Sequence, residues 1–127
     1  MTYLVIIDRG YRGSAEAQFF DALYGVEMLG DQLGGMDVVL RGTSVTAALA
    51  GAAPPPALQV GPTVLTTLAD PRRSVCALVA KGAAVYVDEP GLAAFGLDRA
   101  PLLPGVTRLD TARLAARWGD YAGVWFL

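Results

Sequence analysis

The chain has 127 residues and a mass of 13.3 kDa, so we expect one domain spanning residues 1–127. Hydrophobic residues make up 54% and charged residues 17%, which excludes an intrinsically disordered chain. The formal net charge of -2 disfavours a protein that binds nucleic acid by neutralising phosphates. The chain has no His and one Cys, so it has no internal disulfide and no cysteine-based zinc site. We predict neither a metal nor a cofactor.

Five short apolar runs predict β-strands. The first, Tyr3–Ile7, is apolar throughout, which is typical of a strand buried on both faces of a parallel sheet. The other predicted strands are Met36–Leu40, 83–87, Val106–Leu109 and 122–127, and we expect the last of them to be buried.

Helix signals stand between the predicted strands. Ser14 can cap a helix over 15–29, and Asp70 followed by Pro71 indicates a helix that runs to Lys81. Shorter helices are predicted over 45–50, 90–95 and 111–118, whereas 54–61 is expected to be irregular and 63–69 is ambiguous between strand and helix. This alternation predicts an α/β three-layer sandwich, in which helices cover both faces of a five-stranded, mostly parallel sheet.

Residues 42–69 carry no charge and are long enough to cross a bilayer. Four prolines, at positions 54, 55, 56 and 62, would break a helix there, so we expect a soluble segment that another subunit covers. The amino-terminal apolar run ends at Asp8 and lacks the basic region of a signal peptide. We therefore expect a cytoplasmic protein that does not enter membranes.

Ligands of open parallel sheets bind beyond the carboxyl ends of the strands. The loops 9–14, 41–44 and 88–91 follow predicted strands, and the first of them opens a helix whose free N–H groups attract anions. These loops predict a site for a small anionic ligand; alternatively, the glycines form turns and the arginines are solvated. The candidate ligand-binding residues are Arg9, Arg12, Gly13, Ser14, Arg41, Asp88 and Glu89.

Two candidate catalytic groups, the Asp88–Glu89 pair and Cys76, have structural interpretations that require no catalysis. Asp88 and Glu89 are adjacent, so they do not face each other as an acid–base pair would, and they suit a strand end followed by an acidic helix start. Cys76 has apolar neighbours in a predicted helix, which indicates a buried, inert thiol. The alternative for Cys76 is a sulfurtransferase whose thiolate is favoured by Arg72 or Arg73.

Several motifs together carry a family resemblance. Residues 85–97 read Val-Tyr-Val-Asp-Glu-Pro-Gly-Leu-Ala-Ala-Phe-Gly-Leu, and 121–126 read Tyr-Ala-Gly-Val-Trp-Phe. The first half has a Gly-x-x-Gly-Ser loop at 10–14 and Val-Val-Leu-Arg-Gly at 38–42. With these features the chain resembles the DsrE/DsrF-like family, most of all its DsrF/TusC branch. The family usually has Gly-Asp-Gly near the second strand end, where this chain has Arg-Gly-Thr.

The resemblance implies small cytoplasmic subunits with a five-stranded α/β sandwich that assemble as trimers or hexamers. Active members carry persulfide sulfur on a cysteine just past the third strand, in relays such as tRNA thiouridine synthesis or sulfur oxidation. Here that place is 88–91, which has no sulfur, and Cys76 lies a helix earlier. DsrF/TusC-type subunits often lack this cysteine, so the resemblance implies a non-catalytic subunit. Its partners would be copies of itself or related DsrE- and DsrH-like subunits.

Overall fold

A five-stranded sheet forms the centre of the fold. The computed structural model describes residues 2–10, 22–51, 57–66 and 70–127. In chain order the elements are β1 (Tyr3–Ile7), α1 (Ala22–Gly30), β2 (Met36–Leu40), a first 3-10 helix (Gly42–Ala48), β3 (Leu58–Val60), β4 (Thr63–Leu65), α2 (Pro71–Ala80), β5 (Val85–Asp88), α3 (Glu89–Ala94), β6 (Val106–Leu109), α4 (Thr111–Ala115), a second 3-10 helix (Trp118–Asp120) and β7 (Gly123–Phe126).

The strand order in this sheet is β6-β5-β2-β1-β7, and every pairing in it is parallel. The register aligns Ile7 of β1 with Leu40 of β2, and Leu40 with Val87 of β5. The carboxyl ends of these three strands therefore lie side by side. The predicted parallel sheet is confirmed.

Both faces of the sheet pack against helices. Because successive strand residues point to opposite faces, Val5 and Val38 are buried on one side and Leu4 and Val39 on the other. The first side packs against α1, α2, α3 and the first 3-10 helix. The second side packs against Leu114 of α4. The three layers expected from the sequence are thus present.

The helix predicted over 45–50 is a 3-10 helix that begins earlier, at Gly42. Gly42 has a φ of +59°, in the left-handed region that favours glycine. A Cβ at this position would lie 2.5 Å from the carbonyl oxygen of Asp8. Only glycine therefore allows the chain to turn into the helix so soon after β2.

Strands β3 and β4 form a separate antiparallel hairpin. The prediction of irregular structure was wrong for Leu58–Val60, and the ambiguous run begins with a strand, Thr63–Leu65. Gly61 and Pro62 connect the two strands, and the φ of Gly61 is +58°. A positive φ at the first central position is what the favoured two-residue hairpin turns require.

The last strand is not buried, which corrects the expectation for 122–127. β7 pairs with β1 and with no other strand in the described part of the chain. As a result Trp125 is 39% exposed and Phe126 is 54% exposed. The apolar run correctly indicated a strand. A strand at the edge of a sheet has a neighbouring strand on one side only, so its side chains are less buried than those of a central strand.

Two further predicted helices differ from the observed ones by more than one residue in their bounds. For the first, predicted over 15–29, the structure has α1 at Ala22–Gly30, while 15–21 lie outside the described residues. The helix predicted over 111–118 ends at Ala115 and is followed by the second 3-10 helix. In the described ranges no helix is both long enough and apolar enough to span a bilayer.

A tyrosine joins the approach to β7 to strand β2. The Tyr121 hydroxyl donates to Oδ2 of Asp37 at 3.1 Å, and Oδ1 of Asp37 accepts the backbone N–H of Ala84 at 2.9 Å. Burial raises the pKa of Tyr121 to about 12, and the negative charge of Asp37 adds to this shift. Tyr121 therefore donates in its neutral form, and the carboxylate ties three segments together.

We expect the free energy of unfolding to fall as the pH rises from 10.0 to about 12. Tyr121 ionises near its ordinary pKa in the unfolded chain but at higher pH in the folded protein. Its stabilisation is therefore complete below the unfolded pKa and is lost as the pH rises through the folded one. Urea unfolding across this range would measure the decline, with Tyr121→Phe as the control. An equal decline in both proteins would contradict the assignment.

Candidate functional site

The loops that follow β1 and β2 are held together at the carboxyl end of the sheet. The backbone N–H of Gly10 donates to Oγ1 of Thr43 at 2.9 Å. The buried Ser44 hydroxyl accepts the backbone N–H of Arg41 at 2.8 Å and donates to the carbonyl oxygen of Ile7. A Cβ on Gly10 would lie 2.8 Å from the carbonyl oxygen of Thr43, so the two loops are in close backbone contact.

An ion pair joins Asp8, directly after β1, to Arg41, directly after β2. Nε of Arg41 donates to Oδ1 at 2.5 Å and Nη2 donates to Oδ2 at 3.0 Å, so the ion pair is bidentate. Cζ of Arg41 lies 5.9 Å from the ring centroid of Phe126, within cation–π range. Because the two side chains are 33% and 42% exposed, we expect the pair to stabilise the fold by at most about 1 kcal/mol.

This ion pair favours the charged forms of both groups. The hydrogen bonds from Arg41 lower the pKa of Asp8, partial burial opposes the shift, and the charges of Arg41 and Arg9 add to it. The hydrogen bond to Asp8 raises the pKa of Arg41, and the negative charges of Asp8 and Asp88 contribute. Arg41 is thus flanked by carboxylates from the ends of both neighbouring strands.

Asp88 uses both of its carboxylate oxygens within the fold. Oδ2 accepts the backbone N–H of Gly91 at 3.1 Å, which caps α3. Oδ1 accepts the backbone N–H of Thr111 at 3.2 Å and its hydroxyl at 2.6 Å, at the first residue of α4. Asp88 is 9% exposed. Its position therefore connects β5, α3 and α4.

The structure brings together only some of the predicted ligand-binding residues. Arg41 and Asp88 lie on neighbouring strand ends, and Arg9 is exposed in the loop beside them. Glu89 is also exposed, in the first turn of α3. Three further candidates, Arg12, Gly13 and Ser14, lie outside the described residues.

The ion pair between Arg41 and Asp8 reduces the positive charge that is available at this site to bind an anion. Asp8 already matches the positive charge, so an anionic ligand would compete with that carboxylate for the same donors. Binding of an anion by these loops stays a prediction. Across the described ranges, no three Asp, Glu or Cys side chains lie close enough together to hold a metal ion.

Sequence reasoning missed Asp8 as the partner of Arg41. Each residue directly follows a predicted strand, which was the available signal. Their contact also required that β1 and β2 be neighbours in register, with Ile7 opposite Leu40. The strand pattern alone does not give that pairing. The contact of Phe126 with Arg41 likewise depends on β7 lying next to β1.

Cys76 is exposed, so its interpretation as a buried thiol was wrong. In α2 the buried residues are Ser74, Val75 and Leu78, which together form the face toward the sheet. The helical period places Cys76 on the opposite face, although its sequence neighbours are apolar. The nearby Arg72 donates to Asp70, the N-cap residue of this helix.

Replacing Asp88 by Ala should destabilise the fold by roughly 1–3 kcal/mol. The substitution removes the cap of α3 and leaves the donors of Gly91 and Thr111 without their acceptor. Urea denaturation would measure the change. Glu89→Ala is the matched control, because the Glu89 side chain is exposed, and it should alter the stability by less than about 0.5 kcal/mol. An unchanged midpoint for Asp88→Ala would refute the structural role.

Comparison with known proteins identifies the fold. No family model matches the chain, and no curated protein matches its sequence. Among solved structures, the crystal structure of the YchN protein from E. coli is similar, with a TM-score of 0.75 and 21% sequence identity. The similarity covers 100% of both chains. The fold expected from the family resemblance is thus confirmed: the chain has a DsrE-like fold.

Proposed function

We propose that this protein is a DsrE/DsrF-like subunit of the DsrF/TusC type, which acts through assembly and serves as a structural partner in a sulfur relay. The observation that carries the proposal is the role of Asp88. In the family that the chain resembles, the sulfur-carrying cysteine lies just past the strand that corresponds to β5. In this chain the carboxylate of Asp88 is at that place, where it caps α3 and accepts a hydrogen bond from the Thr111 hydroxyl. A carboxylate cannot carry persulfide sulfur, and this one accepts three hydrogen bonds within the fold.

Exposed apolar surface supports the assembly role. The segment 42–69 has no charge, and the two valines of its hairpin, Val60 and Val64, are 56% and 55% exposed. The end of β7 exposes Trp125 and Phe126 as well. Large apolar patches on small proteins usually mark interfaces with other subunits. These surfaces support binding to copies of the chain or to related subunits.

A sulfurtransferase that uses Cys76 is the second candidate, and the exposure of that thiol favours it. Against it, the chain has no His to act as the base on which cysteine nucleophiles usually depend. Incubation with a persulfide donor followed by intact-mass analysis separates the two candidates. Sulfur that is retained on Cys76 and passed to an acceptor thiol would support the sulfurtransferase.

In solution we expect an oligomer of three or six chains, because one chain of 13.3 kDa leaves its apolar hairpin and sheet edge uncovered. Light scattering coupled to size exclusion would measure the mass at micromolar concentration. A species of 13.3 kDa alone would contradict the proposed function.

The variant Cys76→Ala should fold and assemble like the parent protein. The side chain lies on the exposed face of α2, so truncating it opens no cavity in the core. Thermal unfolding and light scattering would provide the comparison. Val75→Ala serves as a contrast, since Val75 is fully buried on the same helix and its truncation should lower the stability. Loss of sulfur transfer in Cys76→Ala, with fold and assembly intact, would favour the sulfurtransferase instead.

A further inference from the structure

Within the part of the chain that the structure describes, the β3–β4 hairpin packs little against other elements. Among the described residues its strands pair only with each other, and residues 59–64 are all exposed. An isolated two-stranded hairpin is marginally stable in water and gains stability by packing against another element. In the described part of the chain its two strands contact each other far more than any other element. A further surface that packs against the hairpin would therefore stabilise it.

The chemistry of the hairpin defines the surface that fits it. Neither strand carries a charge, and none occurs anywhere in 42–69. Natural edge strands are usually protected by lysines or other charges that prevent pairing, and these two strands have no such protection. The fitting surface is therefore neutral and apolar, and it offers backbone groups for pairing.

The edge of the five-stranded sheet is likewise apolar along β7, with the guanidinium of Arg41 beside the Phe126 ring. On the side away from β1, no described strand pairs with β7. Residues 121–127 carry no charge, and Trp125 and Phe126 are exposed on opposite faces of this edge. The edge thus presents unpaired backbone groups between two large apolar side chains. A neutral apolar strand from another chain fits this arrangement.

We propose that the β3–β4 hairpin of one copy docks on the β7 edge of a second copy and extends its sheet. This inference rests on the proposed assembly function and names the two surfaces that meet. The second copy is the occupant because one chain carries both halves, a hairpin and a sheet edge whose strands bear no charged side chain. Two different surfaces in contact make a head-to-tail interface, which closes into a ring when the rotation allows. A trimer is such a ring.

Lysine substitutions test the two halves separately. Val64→Lys charges the hairpin, Val60→Lys does so at a second site, and Trp125→Lys charges the edge. Phe95→Lys is the matched control, because Phe95 is also exposed, at 52%, but lies just after α3. Circular dichroism and thermal unfolding would show that each variant folds. We expect the hairpin and edge variants to dissociate at concentrations at which the parent and Phe95→Lys remain oligomeric.

Mixing the variants identifies the pairing. In a mixture of the two variants, the Trp125→Lys chain has an intact hairpin and the Val64→Lys chain has an intact β7 edge. We therefore expect a heterodimer in the mixture although each variant alone is monomeric.

The outcomes separate this inference from the function on which it rests. A monomeric parent protein would contradict the assembly function itself. A parent oligomer that survives both lysine substitutions would overturn the hairpin–edge contact alone. The same holds if both variants dissociate but their mixture forms no heterodimer, because each surface would then meet a different partner.

Discussion

At the carboxyl end of the sheet, the buried Ser44 hydroxyl joins the turn after β2 to the end of β1, beside the backbone hydrogen bond from Arg41 to Ile7. It donates to the carbonyl oxygen of Ile7 at the end of β1 and accepts the N–H of Arg41 after β2. Gly42 makes this geometry possible, since any Cβ there would collide with Asp8. With the two strand ends in this arrangement, the Arg41 side chain forms a bidentate ion pair with the Asp8 carboxylate.

The elements that the sequence predicts well are those whose signal is local. The β-type runs give β1 and β2 with their observed bounds, and the Asp70–Pro71 pair marks the start of α2. These features depend on the preferences of neighbouring residues. The hairpin also had a local signal, because Gly61 and Pro62 separate two short β-type runs.

Features that depend on distant parts of the chain could not be predicted. The exposure of Trp125 follows from the place of β7 at the sheet edge, and the exposure of Cys76 follows from the face that α2 turns toward the sheet. The ion pair between Asp8 and Arg41 requires β1 and β2 to be neighbours. Each depends on strand order or helix orientation, which residue patterns alone do not specify.

The order of the strands also has a consequence for folding during synthesis. β1 lies inside the sheet, yet one of its two neighbours, β7, is the last strand in the chain. Until residues 123–126 leave the ribosome, the β1 side that later receives β7 presents free backbone groups and an apolar surface. The nascent chain therefore remains vulnerable to aggregation until β7 has been synthesised and has paired with β1. A chain that is cut short before β7 would keep this surface open, which would mark it for binding by chaperones or for degradation.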